Sequence, residues 1–211
     1  MRLTNEIIKS SFFCSFKTGF LIKGVVGNKT DYEKMEMEIK AELISKYVLF
    51  RKQTNNKITS NLKLSCEKPF DFDMSTNVSL TSEYADISFD AIEVEDDSLI
   101  PIYFSPNLLI AKYEKEYISC LASVLCTELA VDIKICKIVY EKNNKFFTQK
   151  VRMSVYQARA KEKIKKIERL TNPVFCLNKY CILCEYNSQC IDMGVRQISF
   201  FNRDMLIRFT L

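Results

Sequence analysis

The chain has 211 residues, enough for one substantial domain, and its 47% hydrophobic and 27% charged content excludes a disordered chain. It has no histidine, nine cysteines and a formal net charge of +5. The first count excludes Ser-His-Asp triads, Cys-His dyads and imidazole metal ligands, and the odd second count excludes a closed set of internal disulfides that uses every thiol.

No run of about 18 apolar residues is present, so no membrane span is expected. The first 24 residues are interrupted by Glu6, Lys9 and Lys17 and lack a small-residue cleavage site, so they do not read as a secretory signal. With thiols reserved for a metal, the expected location is cytoplasmic. Only four glycines and four prolines break the chain, and no repeat or linker stands out. A single domain over 1–211 is expected, with N-terminal helices over 1–57, a sheet core over 58–153, and a basic helix and Cys-rich tail over 154–211.

In chain order, Thr4 or Asn5 caps a first amphipathic helix that turns Ile7, Ile8, Phe12 and Phe13 inward. A capping-box pattern at Thr30–Glu33 opens a second helix to about Phe50, with Met35, Ile39, Leu43 and Ile44 as its apolar positions. From Ile58 to Phe104 short alternating runs (KITSNLKLSC, NVSLTS, ADISFDAIEVE, LIPIYFS) read as strands. Residues 112–129 read as a helix with Tyr117, Leu121, Val124 and Leu125 near one face. A hairpin follows, VDIKICKIVY and KFFTQKVRM around a Lys142-Asn143-Asn144 turn. Ser154 then caps a basic helix to about Leu170, which Asn172-Pro173 stops. This order predicts a mixed α/β domain with a helix crossing over a sheet.

Charge is unevenly placed. Residues 71–100 hold nine acids and no Lys or Arg, whereas residues 141–170 hold ten bases against three acids. The basic block suits a phosphate backbone, with Lys150, Arg152, Arg159, Lys163 and Lys166 as candidate nucleic-acid contacts; a solvated helix face is the plain alternative.

The most specific local pattern is Cys181, Cys184 and Cys190, spaced C-x2-C-x5-C in a polar stretch after the helix stop. Three thiolates this close suit zinc or an iron–sulfur cluster and require a fourth donor, for which Cys14 and Cys176 are available. Cys66, Cys120, Cys126 and Cys136 sit in apolar patterns and read as small buried hydrophobes.

The tail LNKYCILCEYNSQC, the opening TNEIIKSSFFCSFKTGFL and the order of elements between them resemble the iron–sulfur branch of the RecB-like nucleases. That branch belongs to the PD-(D/E)XK superfamily and includes the CRISPR-adaptation exonucleases. The resemblance implies a restriction-endonuclease-like core, a central mixed sheet flanked by helices, with the Cys-rich tail closing on the N-terminal helix. It also implies a [4Fe–4S] cluster on Cys14, Cys181, Cys184 and Cys190. Such a link between chain ends would act where loop-closure entropy makes it count most.

The family's site needs an aspartate on one strand, Glu-x-Lys on the next, a helical histidine and Gln-x3-Tyr on the following helix, around Mg2+ or Mn2+. Asp90 matches the aspartate. Tyr103 and Ser105 stand at the Glu and Lys positions, Tyr117 and Leu121 at the Gln and Tyr positions, and no histidine exists. A shifted site would need Glu93 or Glu95 with Lys112 or Lys115, and Mg2+ or Mn2+ belongs only to that alternative. The expectation is a catalytically degenerate protein that binds DNA, single-stranded in preference, beside a helicase or nuclease partner. The alternatives are an active metal-dependent exonuclease and a structural scaffold.

Overall fold

The structure, a computed structural model, describes residues 1–54, 57–65, 71–171, 173 and 181–192. Among these, the alternating stretches form β1 (Leu3–Thr4), β2 (Ile58–Ser60), β3 (Met74–Thr81), β4 (Ala85–Glu95), β5 (Ser98–Phe104), β6 (Ile135–Lys142) and β7 (Lys145–Arg152). The helical periods form α1 (Asn5–Ser10), α2 (Ser15–Ile22), α3 (Asp31–Lys52), α4 (Lys112–Leu129) and α5 (Met153–Glu168).

The seven strands make one mixed sheet in the order β2-β3-β4-β5-β6-β7, with β1 parallel to the start of β4. β3, β4 and β5 form an antiparallel meander, α4 crosses over, and β6 returns parallel to β5. Both tight hairpins use residues that tolerate positive φ: Asp96 and Asp97 (48° and 57°) between β4 and β5, and Asn143 and Asn144 (52° and 57°) between β6 and β7. Two successive left-handed residues match the right-handed twist of the strands they join.

Helices cover both faces. On one, α1, α4 and α5 bury Ile8, Phe89, Tyr103, Ile118, Leu121, Ile138 and Ile164 in the larger core. On the other, α3 lays Leu43 and Tyr47 over Met74, Ala91, Ile102, Phe104 and Val139.

Three expectations are corrected. The first helix does not run through Phe13: the Ser10 and Ser11 hydroxyls bond back to the Ile7 and Ile8 carbonyls, and the chain tightens before restarting at Cys14, whose Sγ accepts from the Lys17 N–H. α3 has its capping box at Thr30 and Glu33, but its inward residues are Leu43 and Tyr47, while Met35 and Ile39 are exposed. α5 begins at Met153, so Ser154 lies inside it and the N-cap is Arg152, whose side chain has no acceptor to cap with; the Met153 N–H donates to the Lys134 carbonyl instead.

Candidate functional site

β4 pairs with β5 only from Ala91 to Glu95 and with β1 only at Ala85 and Asp86. Between them the strands part, and side chains supply the missing partners. The Asn5 amide gives and takes hydrogen bonds with the Ser88 backbone, both at 2.7 Å. The Asp90 carboxylate accepts from the Phe104 N–H at 2.9 Å. Opposite this fork, Asn77 of β3 takes φ 52°, and the inward face of β4 switches there: Ala85, Ile87 and Phe89 lie in the larger core, but so does Ile92, while Ala91 faces α3.

Asp90 is also paired with Lys40 of α3 at 2.8 Å, and the Lys40 ammonium lies 4.2 Å from the centre of the Tyr103 ring. Tyr103 is buried, its ring edge-on to Tyr117, whose hydroxyl accepts from Asn5. Burial, and then the Asp90 charge, hold the Tyr103 phenol well above the ordinary tyrosine range. Leu121 closes the floor, and the cavity that remains is about 10 Å³, room for one water at most. Ser105 faces elsewhere: its hydroxyl donates at 2.6 Å to the buried Glu114, whose other oxygen caps α4 through the Ala111 N–H. The fork therefore offers one carboxylate, already satisfied by an ammonium and an amide.

Glu93 and Glu95 do not meet Lys112 or Lys115. Glu93 is buried between Arg51 (2.7 Å) and Lys137 (2.5 Å), and Lys137 also bonds Glu95. Burial alone would lower the Lys137 pKa, but its bonds to the two carboxylates outweigh that and raise it; the bond from Lys137 in turn lowers that of Glu95. Lys112 pairs with Glu116 instead. The shifted site's partners are thus replaced by a closed ion-pair network, invisible in local spacing because Glu93 and Lys137 come from different strands.

At the chain ends, residues 181–192 lie against the start of the chain. The Tyr186 hydroxyl donates to the Val25 carbonyl at 2.7 Å and its ring stacks on Phe20 at 5.1 Å. The Asn28 N–H donates to the Glu185 carbonyl, and Lys17 pairs with Glu185 at 3.0 Å. This brings Cys14 into electrostatic range of the tail thiols. Burial raises the Cys190 pKa to about 11, followed by the fields of Cys184, Cys14 and Cys181. The donor set is chemically suited to a thiolate-held centre: four thiols, no imidazole, and repulsion that a cationic core would reverse. In this geometry, however, no three Cys, Asp or Glu side chains among the described residues converge closely enough to hold a metal ion. Cys120 and Cys136 are buried and Cys126 is half-buried, whereas Cys66 and Cys176 lie outside the described residues.

The five candidate nucleic-acid bases are not one patch. Arg159, Lys163 and Lys166 line a cleft of about 340 Å³ between α4 and α5, together with Lys112, Glu116 and Glu162. There Arg159 pairs with Glu116, Lys166 with Glu162, and Lys163 donates to the Ser11 carbonyl over the Phe12 ring. Lys150 lies on β7 opposite Lys137, on the α3 face of the sheet, and Arg152 ends that strand.

The chain matches no family model and no curated protein. Among solved structures it is similar to one described as "Crystal structure of SSO0001", at 12% identity and a TM-score of 0.48, over 89% of this chain and 84% of that one. No helix among the described residues is long and apolar enough to cross a membrane.

Proposed function

We propose that this chain is a DNA-binding protein on a RecB-like, PD-(D/E)XK nuclease core whose catalytic centre has closed, acting with a helicase or nuclease partner in DNA repair, processing or defence. The observation that carries the reading is Asp90. It stands where β4 and β5 part, within a helix–meander–helix–strand order (α3, β3-β4-β5, α4, β6), and that is where the resemblance calls for the metal-binding aspartate. The helical side chain that meets it is Lys40, a cation, and the chain has no histidine to complete the family's site. Tyr103 fills the next strand's Glu position with a buried ring, and Ser105 is engaged with Glu114. A divalent ion would have to displace Lys40 with a single carboxylate as its reward, and hard cations need several oxygen donors.

Cys14, Cys181, Cys184 and Cys190 would hold a [4Fe–4S] cluster, or zinc in its place, and the group would supply a cross-link between chain ends rather than chemistry at Asp90. The protein's own contacts at Tyr186, Glu185 and Lys17 support that docking.

The test is anaerobic purification followed by binding and cleavage assays on single-stranded DNA with Mn2+. The expected result is a brown protein that binds DNA, weakens steeply with salt and does not cut. Negligible binding at about 50 mM salt, where phosphate contacts are strong, overturns the DNA-binding reading. Cleavage that disappears in Asp90→Ala overturns the closed site, and stoichiometric zinc without iron overturns the iron–sulfur assignment.

A further inference from the structure

The β6–β7 hairpin runs out from under the helices. On its α4–α5 face the cross-strand pairs are, in order, Cys136 with Val151, Ile138 with Gln149, Tyr140 with Phe147, and Lys142 with Lys145. The first pair is fully buried, the second joins buried Ile138 to half-buried Gln149, the third joins half-buried Tyr140 to exposed Phe147, and the fourth is exposed at the tip. Tyr140 and Phe147 stack on each other at 5.6 Å with their planes 22° apart, and Phe147 remains 43% exposed. The opposite face of the same hairpin is finished differently. There Phe146 is packed by Tyr47 and Phe50 of α3, and Glu141 is paired with Lys46.

The outer face therefore presents two aromatic rings and two lysines that form no ion pair among the described residues, and it carries no carboxylate. An apolar protein surface would cover the rings but leave Lys142 and Lys145 without counter-charge. A polyanion with planar apolar groups satisfies both. We infer that this hairpin face is a stacking platform for single-stranded nucleic acid, with bases against Phe147 and Tyr140 and phosphates on Lys142 and Lys145. The inference rests on the DNA-binding reading and moves its contact surface from the α4–α5 cleft, where the bases are already paired with Glu116 and Glu162, to the hairpin.

The chain contains no tryptophan, so Phe147→Trp gives a single reporter at the site. With a 15-nucleotide oligothymidylate, the emission of Phe147→Trp should be quenched in step with binding followed by anisotropy. Tyr140→Ala/Phe147→Ala should weaken binding at least about tenfold with its salt dependence unchanged, since stacking is electrically neutral. Lys142→Ala/Lys145→Ala should lower the salt slope by about 1.4, the share of two phosphate contacts on a single strand. Thermal melts of each variant confirm that it is folded. Oligonucleotide binding without any change in tryptophan emission overturns the hairpin while leaving DNA binding intact, and Arg159→Ala/Lys163→Ala/Lys166→Ala should then abolish it. Absence of binding by the native chain overturns both readings. A concentration-dependent dimer that shifts the emission, with no response to oligonucleotide, assigns the face to a second copy and overturns the inference.

Discussion

The Lys40 ammonium sits 2.8 Å from Asp90 Oδ2, with the Tyr103 ring on its other side. An ion pair on a surface contributes little, but both partners here are largely covered, and the same carboxylate oxygen accepts the Phe104 N–H that β4 fails to bond. Removing the cation leaves a carboxylate with one partner beside an aromatic core. Lys40→Met should therefore destabilise the fold by about 1–3 kcal/mol. Denaturant unfolding of Lys40→Met, Asp90→Asn and the double variant should give a coupling of about 1–2 kcal/mol. A coupling near zero would mean that the pair is screened and that the fork is held by the backbone bond alone.

Glu93, Lys137, Arg51 and Glu95 tie α3 to the sheet at the end away from the fork. Taking away one member of a buried network is costly because the rest lose their compensation. Lys137→Met should cost about 3–5 kcal/mol near neutral pH. The raised Lys137 pKa means its contribution is complete below the ordinary lysine value and is lost as pH rises through the raised one. The lowered Glu95 pKa means its contribution is complete above the ordinary carboxylate value and is lost as pH falls through the lowered one. On the reference values of these side chains, the gap in Tm between native chain and Lys137→Met should be constant from about pH 5 to pH 10 and narrow on both sides of that range. A gap that does not change with pH would show that Lys137 acts by packing alone.

Local patterns were enough for α4, the β6–β7 hairpin and the start of α3, because each is defined by residues close in sequence: a ten-residue buried stripe, an Asn-Asn turn, and Thr30 with Glu33. They failed where the deciding partner is remote. The apolar residues of α3 permit two inward stripes, and only the sheet beneath selects Leu43 and Tyr47 over Met35 and Ile39. The two residues of β1 become a strand only against Ala85 and Asp86. At the fork Asp90 was singled out by the family resemblance, but Lys40 was one lysine among many on a polar helix. Likewise Lys137, sitting in an apolar run, carried no sign that Glu93 would reach it.

Gly27 reports on the docking of the chain ends. A Cβ there would lie 2.6 Å from Cγ of Glu185 and 3.0 Å from Cζ of Tyr186. Neither side chain is free to withdraw, since Glu185 is paired with Lys17 and Tyr186 is bonded to Val25 and stacked on Phe20. Gly27→Ala should push the 181–192 segment off the start of the chain while leaving the sheet intact. The expected readout is faster modification of Cys190, nearly buried at 7% exposure, by a thiol reagent under metal-free conditions. Unchanged thiol kinetics would show that the segment absorbs the methyl by a local shift.

The four proposed ligands can be separated from the remaining thiols by their effect on bound metal. Cys14→Ser, Cys181→Ser, Cys184→Ser and Cys190→Ser should each abolish visible absorption and lower iron content in anaerobic preparations, since a closed thiolate site tolerates no missing donor. Cys126→Ser and Cys136→Ser should keep both, because Cys126 packs from α4 against the larger core and Cys136 is buried within it. Cys136→Ser has its own cost: it puts a hydroxyl where burial already holds the thiol neutral and where the nearest polar contact is the Met153 sulfur. It should lose about 1–3 kcal/mol of stability for an unsatisfied buried group while remaining brown. Iron loss in Cys136→Ser at a temperature where it is folded would move the ligand set into the core. Iron retained in Cys14→Ser would release the N-terminal end from the cluster and leave Tyr186 and Glu185 as the contacts holding the chain ends together.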